Sequence, residues 1–156
     1  MNNPTRAWTP VLWTLAFLVW VVFAMVAVGA GIIRLIWLEP RLGNVLANMV
    51  ETIGLVVVLA GMIWVATPWL VPRLQRDALV MLGALWFGLT IAFEFLFGHF
   101  VDGAPWSVLI MNYDITAGRL WILVPVTMAI GPLLAGILRR RGPPLFRLPA
   151  LFLRSR

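Results

Sequence analysis

Four long apolar runs, separated by short polar breaks, dominate the chain: Val11 to Ile33, Val45 to Ala66, Ala78 to Phe97 and Leu120 to Leu138. Each holds 19 to 23 residues, and about 20 helical residues suffice to cross a hydrocarbon core. The runs are continuously apolar, without the in-and-out alternation of a barrel strand, so they predict helices. The expected fold is all-α: an integral membrane protein with four transmembrane helices in residues 1–138, followed by a basic tail in residues 139–156. The first run is longer than the apolar core of a signal peptide, about 7 to 15 residues, and only Arg6 precedes it. It reads as an uncleaved anchor.

Composition agrees. Of 156 residues, 62% are hydrophobic and 12% charged, about half the charged share of a soluble domain. All twelve cationic residues are arginine. Nine of them (Arg6, Arg73, Arg76, Arg139, Arg140, Arg141, Arg147, Arg154 and Arg156) would lie on one side of the membrane, against Arg34, Arg41 and Arg119 on the other. Cytoplasmic flanks carry the excess of arginine, so both termini are expected in the cytoplasm. Trp8, Trp13, Trp37, Trp69, Trp106 and Trp121 fall near run ends, as an interfacial belt requires.

The net charge of +6 does not point to nucleic acid, because the arginines flank membrane segments. They set topology and touch anionic lipid, with Arg139, Arg140, Arg141 and Arg147 as the lipid-facing basic tail. The tail itself reads equally as a segment lying in the headgroup region or as a disordered extension.

Four charges break the oily pattern near run ends: Arg34, Glu51, Glu94 and Arg119. Glu51 lies roughly 28 Å along a helix from Leu70, Glu94 roughly 24 Å from Ala78, and Arg119 roughly 30 Å from Arg139. All four therefore fall at one depth, near the outer face. Sequential helices neighbour each other, which pairs Arg34 with Glu51 and Glu94 with Arg119. Asn44, Asn48 and Glu51 share one helix face, as do Ala27, Gly31 and Arg34, and Thr90, Glu94 and Gly98. Ala84, Gly88 and Ala92 form a small-residue stripe expected to pack tightly, and Pro125 and Pro132 are expected to kink the last helix. Intramembrane ionisable groups are costly and persist for a partner or a task.

The connection from Gly98 to Arg119 is long. Asp102-Gly103 predicts a turn, and Ser107 predicts the cap of a short helix, Val108 to Tyr113, lying over the charges as a lid. Asp102 and Asp114 would face the arginines. His99, one turn beyond Glu94, joins the candidate polar cluster of Arg34, Asn48, Glu51, Glu94, His99 and Arg119; a lone interfacial histidine is more often a hydrogen-bonded structural residue.

Most chemistries are excluded. The chain has no cysteine, one histidine and only Ser107 and Ser155 as serines, so thiol, multi-histidine metal and serine-nucleophile sites are not expected. No phosphate-binding glycine loop appears. Phe93 to Val101, FEFLFGHFV, followed by Asn112 to Val124, NYDITAGRLWILV, resembles a pattern in a family of small four-helix bacterial membrane proteins. That resemblance implies an inner-membrane location and prominence for Glu94, Gly98, Gly118 and Arg119, and carries no activity. The expectation is a multi-pass inner-membrane protein, not an enzyme, without cofactor or metal. Its role would be structural or accessory, its partners membrane lipids and either a second copy or a membrane complex. The alternative is a small proton- or cation-coupled transporter or channel subunit using Glu94 and Glu51.

Overall fold

The protein is described by a computed structural model, in residues 10–71, 75–111, 113–114 and 119–141. Among these residues all regular structure is helical. Helix α1 (Pro10–Ile33) passes through a wider π turn (Arg34–Leu38) into α2 (Glu39–Leu70); α3 (Arg76–Phe100), the short α4 (Trp106–Met111) and α5 (Leu123–Arg141) follow. Pro10 lies in the first turn of α1, where a missing N–H costs nothing, and Pro40 follows directly on the π turn.

Three stretches are long and apolar enough to cross a membrane: Pro10–Leu70, Arg76–Phe100 and Leu123–Arg140. The first holds 61 residues and contains two of the four expected runs, on either side of a break at Gly43. As a straight helix it would measure about 90 Å. It does not run straight. Arg34 Nε lies 3.6 Å from Glu51 Oε2, whereas 17 helical residues would separate them by about 25 Å. The reversal falls around Gly43, where φ is +75°, a conformation that a side chain resists. α1 then lies along α2.

α3 and α5 form the closest pair, and α5 also packs on α2, while α1 rests on α2 and α3. The pair approaches through glycine. A Cβ at Gly83 would meet the Ala129 carbonyl oxygen at 2.1 Å, and one at Gly136 would meet Leu79 at 2.3 Å. The stripe Ala84, Gly88 and Ala92 is exposed instead, and a Cβ at Gly88 would meet open space. One residue turns a helix by 100°, and Gly83 rather than its neighbour faces α5. Pro125 and Pro132 are fully buried; Pro125 sits in the first turn of α5, which continues as helix through Pro132.

Tryptophan ties α1 to α3. The fully buried Trp86 donates its indole N–H to the Ala16 carbonyl at 2.9 Å and meets Phe23 edge-on at 4.9 Å. Trp20 donates to Thr90 Oγ1 at 3.1 Å. Each indole satisfies its one donor inside an apolar core. Outside that core the surface is oily: Val57, Val65, Trp69 and Ile36 are all more than 60% exposed. A surface of this extent and apolarity fits hydrocarbon, not water.

Helix ends differ from the expected ones. α5 begins at Leu123 and runs through Arg141, three residues past Leu138, because Arg139 donates from Nη2 to the Trp64 carbonyl at 2.8 Å and lies 4.4 Å over the Trp64 ring. Arg139 thus packs on α2, and Arg140 and Arg141 are the last residues of α5; Arg147 lies outside the described residues. α4 starts at Trp106, with Val108 N–H bonded to the Pro105 carbonyl at 2.9 Å. Ser107 is accordingly inside the first turn and does not cap it.

Gly83→Ala should therefore destabilise the protein by about 1–3 kcal/mol through overpacking against backbone, read as a lowered Tm in detergent, while Gly88→Ala should leave Tm equal or slightly raised.

Candidate functional site: a polar cavity at one end of the helices

Arg34 opens the π turn beneath the reversal, and its guanidinium is shared. Nη1 lies 2.8 Å from Glu39 Oε2 and Nε 3.6 Å from Glu51 Oε2. Asn44 Nδ2 donates to the other Glu39 oxygen at 3.2 Å. Glu51 itself is buried, at 8% exposure. The expected pairing of Arg34 with Glu51 is present, and Glu39 holds the same arginine more closely.

Glu94 projects from α3 four residues above Thr90. It accepts a hydrogen bond of 2.5 Å from the Tyr113 hydroxyl. The Trp121 indole nitrogen is buried beside it without a hydrogen bond of ordinary geometry. Arg119, the expected partner of Glu94, lines the same cavity, and its backbone N–H donates to the Asp114 carbonyl at 3.3 Å.

The segment after α3 forms a cover. Gly103, at φ +68°, makes the expected turn, and the Ala104 N–H returns to the Gly98 carbonyl at 2.9 Å. Leu109 of α4 seats against Gly98, where a Cβ would approach it to 2.6 Å. Phe95 stacks on both Trp106 and Tyr113. His99 stacks on Trp106 at 4.1 Å and its Nδ1 lies 3.0 Å from the Ala104 carbonyl. A carbonyl only accepts, so Nδ1 carries the proton there.

These elements line a partly open cavity of about 270 Å³. Arg34, Asn48, Glu51, Glu94 and Arg119 all line it, together with Asp102, Thr90 and Trp121. Five of the six residues of the expected cluster thus share one cavity. The sixth, His99, is spent on Trp106 and Ala104 in the cover. Ala27 and Gly31 line the cavity as well. Their missing bulk leaves room beside Arg34 and does not bring α1 close to a neighbour: a Cβ at Gly31 would meet nothing within 4 Å. Toward the other end the walls become apolar, with Trp20, Phe23, Leu59 and Met128. The polar end has the partners and the volume to hold several waters. Among the described residues no group of three or more His, Cys, Asp or Glu is placed to hold a metal ion.

Glu39, which holds Arg34, and Tyr113, which holds Glu94, are residues of the site that the sequence did not single out. Tyr113 is the only tyrosine of the chain, and it ends the cover 19 residues after an intramembrane acid. A phenol at that distance from a carboxylate was the available signal. Comparison with models of protein families, with curated proteins and with solved structures finds no match.

Burial first, then the hydrogen bond and the charge of Glu94, push the Tyr113 hydroxyl well above the usual tyrosine range. An unfolded tyrosine ionises near pH 10. The folded state keeps its proton above that pH, so the resulting stability is full below about pH 10 and falls as pH rises beyond it. Ultraviolet titration should show no tyrosinate in the folded protein where free tyrosine ionises, and Tyr113→Phe should lose less stability than wild type in that alkaline range.

Proposed function

We propose that the protein is a small multi-pass inner-membrane protein that crosses four times, with both termini in the cytoplasm and the charged cavity near the outer face. In this reading the stretch Pro10–Leu70 supplies two crossings around the reversal at Gly43. The arginine distribution supports the orientation, with nine on the proposed inner side against three.

Its role is structural or accessory, without catalysis of its own, as a component of a homo-oligomer or a membrane complex. The observation that carries this reading is that Glu51 and Glu94 each meet a group from another element. Glu51 of α2 is paired with Arg34 at the end of α1, and Glu94 of α3 holds Tyr113 of the cover. Groups engaged in this way fasten helices and keep carboxylates from lipid. A second reading, a small proton- or cation-coupled transporter or channel subunit using Glu94 and Glu51, is favoured by the cavity that both acids line.

The two roles separate at Glu94. As a fastener, Glu94→Leu strands the Tyr113 hydroxyl and costs about 1–3 kcal/mol, and Glu94→Leu with Tyr113→Phe recovers much of it. Thermal unfolding in detergent reads this cycle. A double variant no more stable than the sum of the singles, together with proton or cation flux in vesicles that Glu94→Gln abolishes without loss of fold, would replace the structural role by transport.

A further inference from the structure

The acids of this chain are distributed against its overall charge. The protein carries +6, yet five of its six carboxylates (Glu39, Glu51, Glu94, Asp102 and Asp114) belong to the end that holds only Arg34, Arg41 and Arg119. That end has a formal charge of −2 in a basic protein. The cavity repeats the imbalance, with Glu51, Glu94 and Asp102 against Arg34 and Arg119.

Glu51 sharpens it. Its side chain is only 5% exposed, and its ion pair with Arg34 is 3.6 Å long, beyond hydrogen-bond length, because the guanidinium is drawn to Glu39 at 2.8 Å. An ionised carboxylate only accepts, and the 3.6 Å contact with Arg34 leaves its lone pairs open to a further donor. The open space before it is where that donor would sit. The cavity then changes character with depth. Leu59 lies eight residues beyond Glu51 on α2, about 12 Å, and there the walls are Trp20, Phe23, Leu59 and Met128. Aromatic faces attract organic cations as well as apolar groups.

We propose that the cavity binds a small organic cation: an ammonium whose N–H groups donate to Glu51, carried on a compact alkyl or aryl group that fills the aromatic end. The volume of about 270 Å³ equals about nine water molecules in the liquid, which suits a single ring with a short amine arm. A bare metal cation would leave the apolar half of the cavity empty, and a carboxylate or phosphate would meet the acid surplus of the polar end. The inference rests on the cavity-based transport reading for its access route, and names the ligand class that such a route would serve.

The test is a thermal-shift titration of the purified protein in detergent with 2-phenylethylammonium, with 3-phenylpropanoate as the anion of matching shape, and with ammonium and potassium chloride as the bare cations. The expected result is a saturable rise in Tm with phenylethylammonium alone. Glu51→Gln should weaken that binding about tenfold or more. Ala27→Phe, which fills the cavity from the α1 wall and leaves every charge in place, should weaken it likewise and covers the case in which Glu51→Gln fails to fold. Stabilisation by the propanoate, or equally by the bare cations, overturns the assignment while leaving a ligand cavity in place. A phenylethylammonium shift unchanged in both variants places binding elsewhere and overturns it too. No shift with any compound removes the ligand site altogether. Binding without flux in vesicles would leave the site standing and end the transport reading alone.

Discussion

A carboxylate among apolar helices must find a cation, and in this protein that requirement shapes the first half of the chain. Glu51 is buried on α2, and Arg34 at the end of α1 reaches it. An ionised side chain on a lipid-embedded helix is costly, and removing one partner of a buried pair costs about 3–5 kcal/mol. The contact is possible only because the 61-residue helical stretch reverses between the two residues. Gly43 supplies the positive φ, and the π turn widens the backbone where Arg34 stands. The same arginine also holds Glu39, so the turn is fastened from both sides.

The remaining helices follow a division of labour. α5 is pressed into α2 and α3 at Gly83, Gly131 and Gly136; a Cβ at Gly83 would run into backbone, and at the other two it would meet the side chains of Ile63 and Leu79. α1 is held differently, by two indole hydrogen bonds and an aromatic contact with α3, while its small residues Ala27 and Gly31 face open space. Close packing on one side and tethering on the other produce the cavity. Its cover is joined to the site by Tyr113 on Glu94 and by Leu109 on Gly98, so the chemistry of the acid and the position of the cover are linked.

Much of this was legible in the sequence for a simple reason. Continuous apolar runs of 19 to 23 residues leave helix as the way to satisfy the backbone in hydrocarbon, and helical rise then fixes the depth of each charge. Arg34, Asn48, Glu51, Glu94 and Arg119 came together in one cavity on that arithmetic. What depth does not encode is rotation. Gly83 rather than Ala84 faces α5, and the difference is one residue that only tertiary packing decides. Nor does it encode competition for a side chain: His99 is taken by Trp106 and Ala104, and Glu94 receives Tyr113 from a loop whose path hydropathy cannot trace. The place of the turn was hidden as well, since Glu39 and Arg41 read as part of the polar break and yet are helical, and the helix breaks only at Gly43.

The proposed topology puts the reversal on the outer side, and the absence of cysteine from the chain makes it directly measurable. Single cysteines at Leu42, beside the reversal, and at Gln75, before α3, are both on exposed positions. Labelling intact cells with a membrane-impermeant thiol reagent should modify Leu42→Cys and spare Gln75→Cys until the membrane is permeabilised. Modification of both from outside, or of Gln75→Cys alone, would contradict a stretch that enters the membrane, turns around the Arg34–Glu51 pair at the outer face and returns.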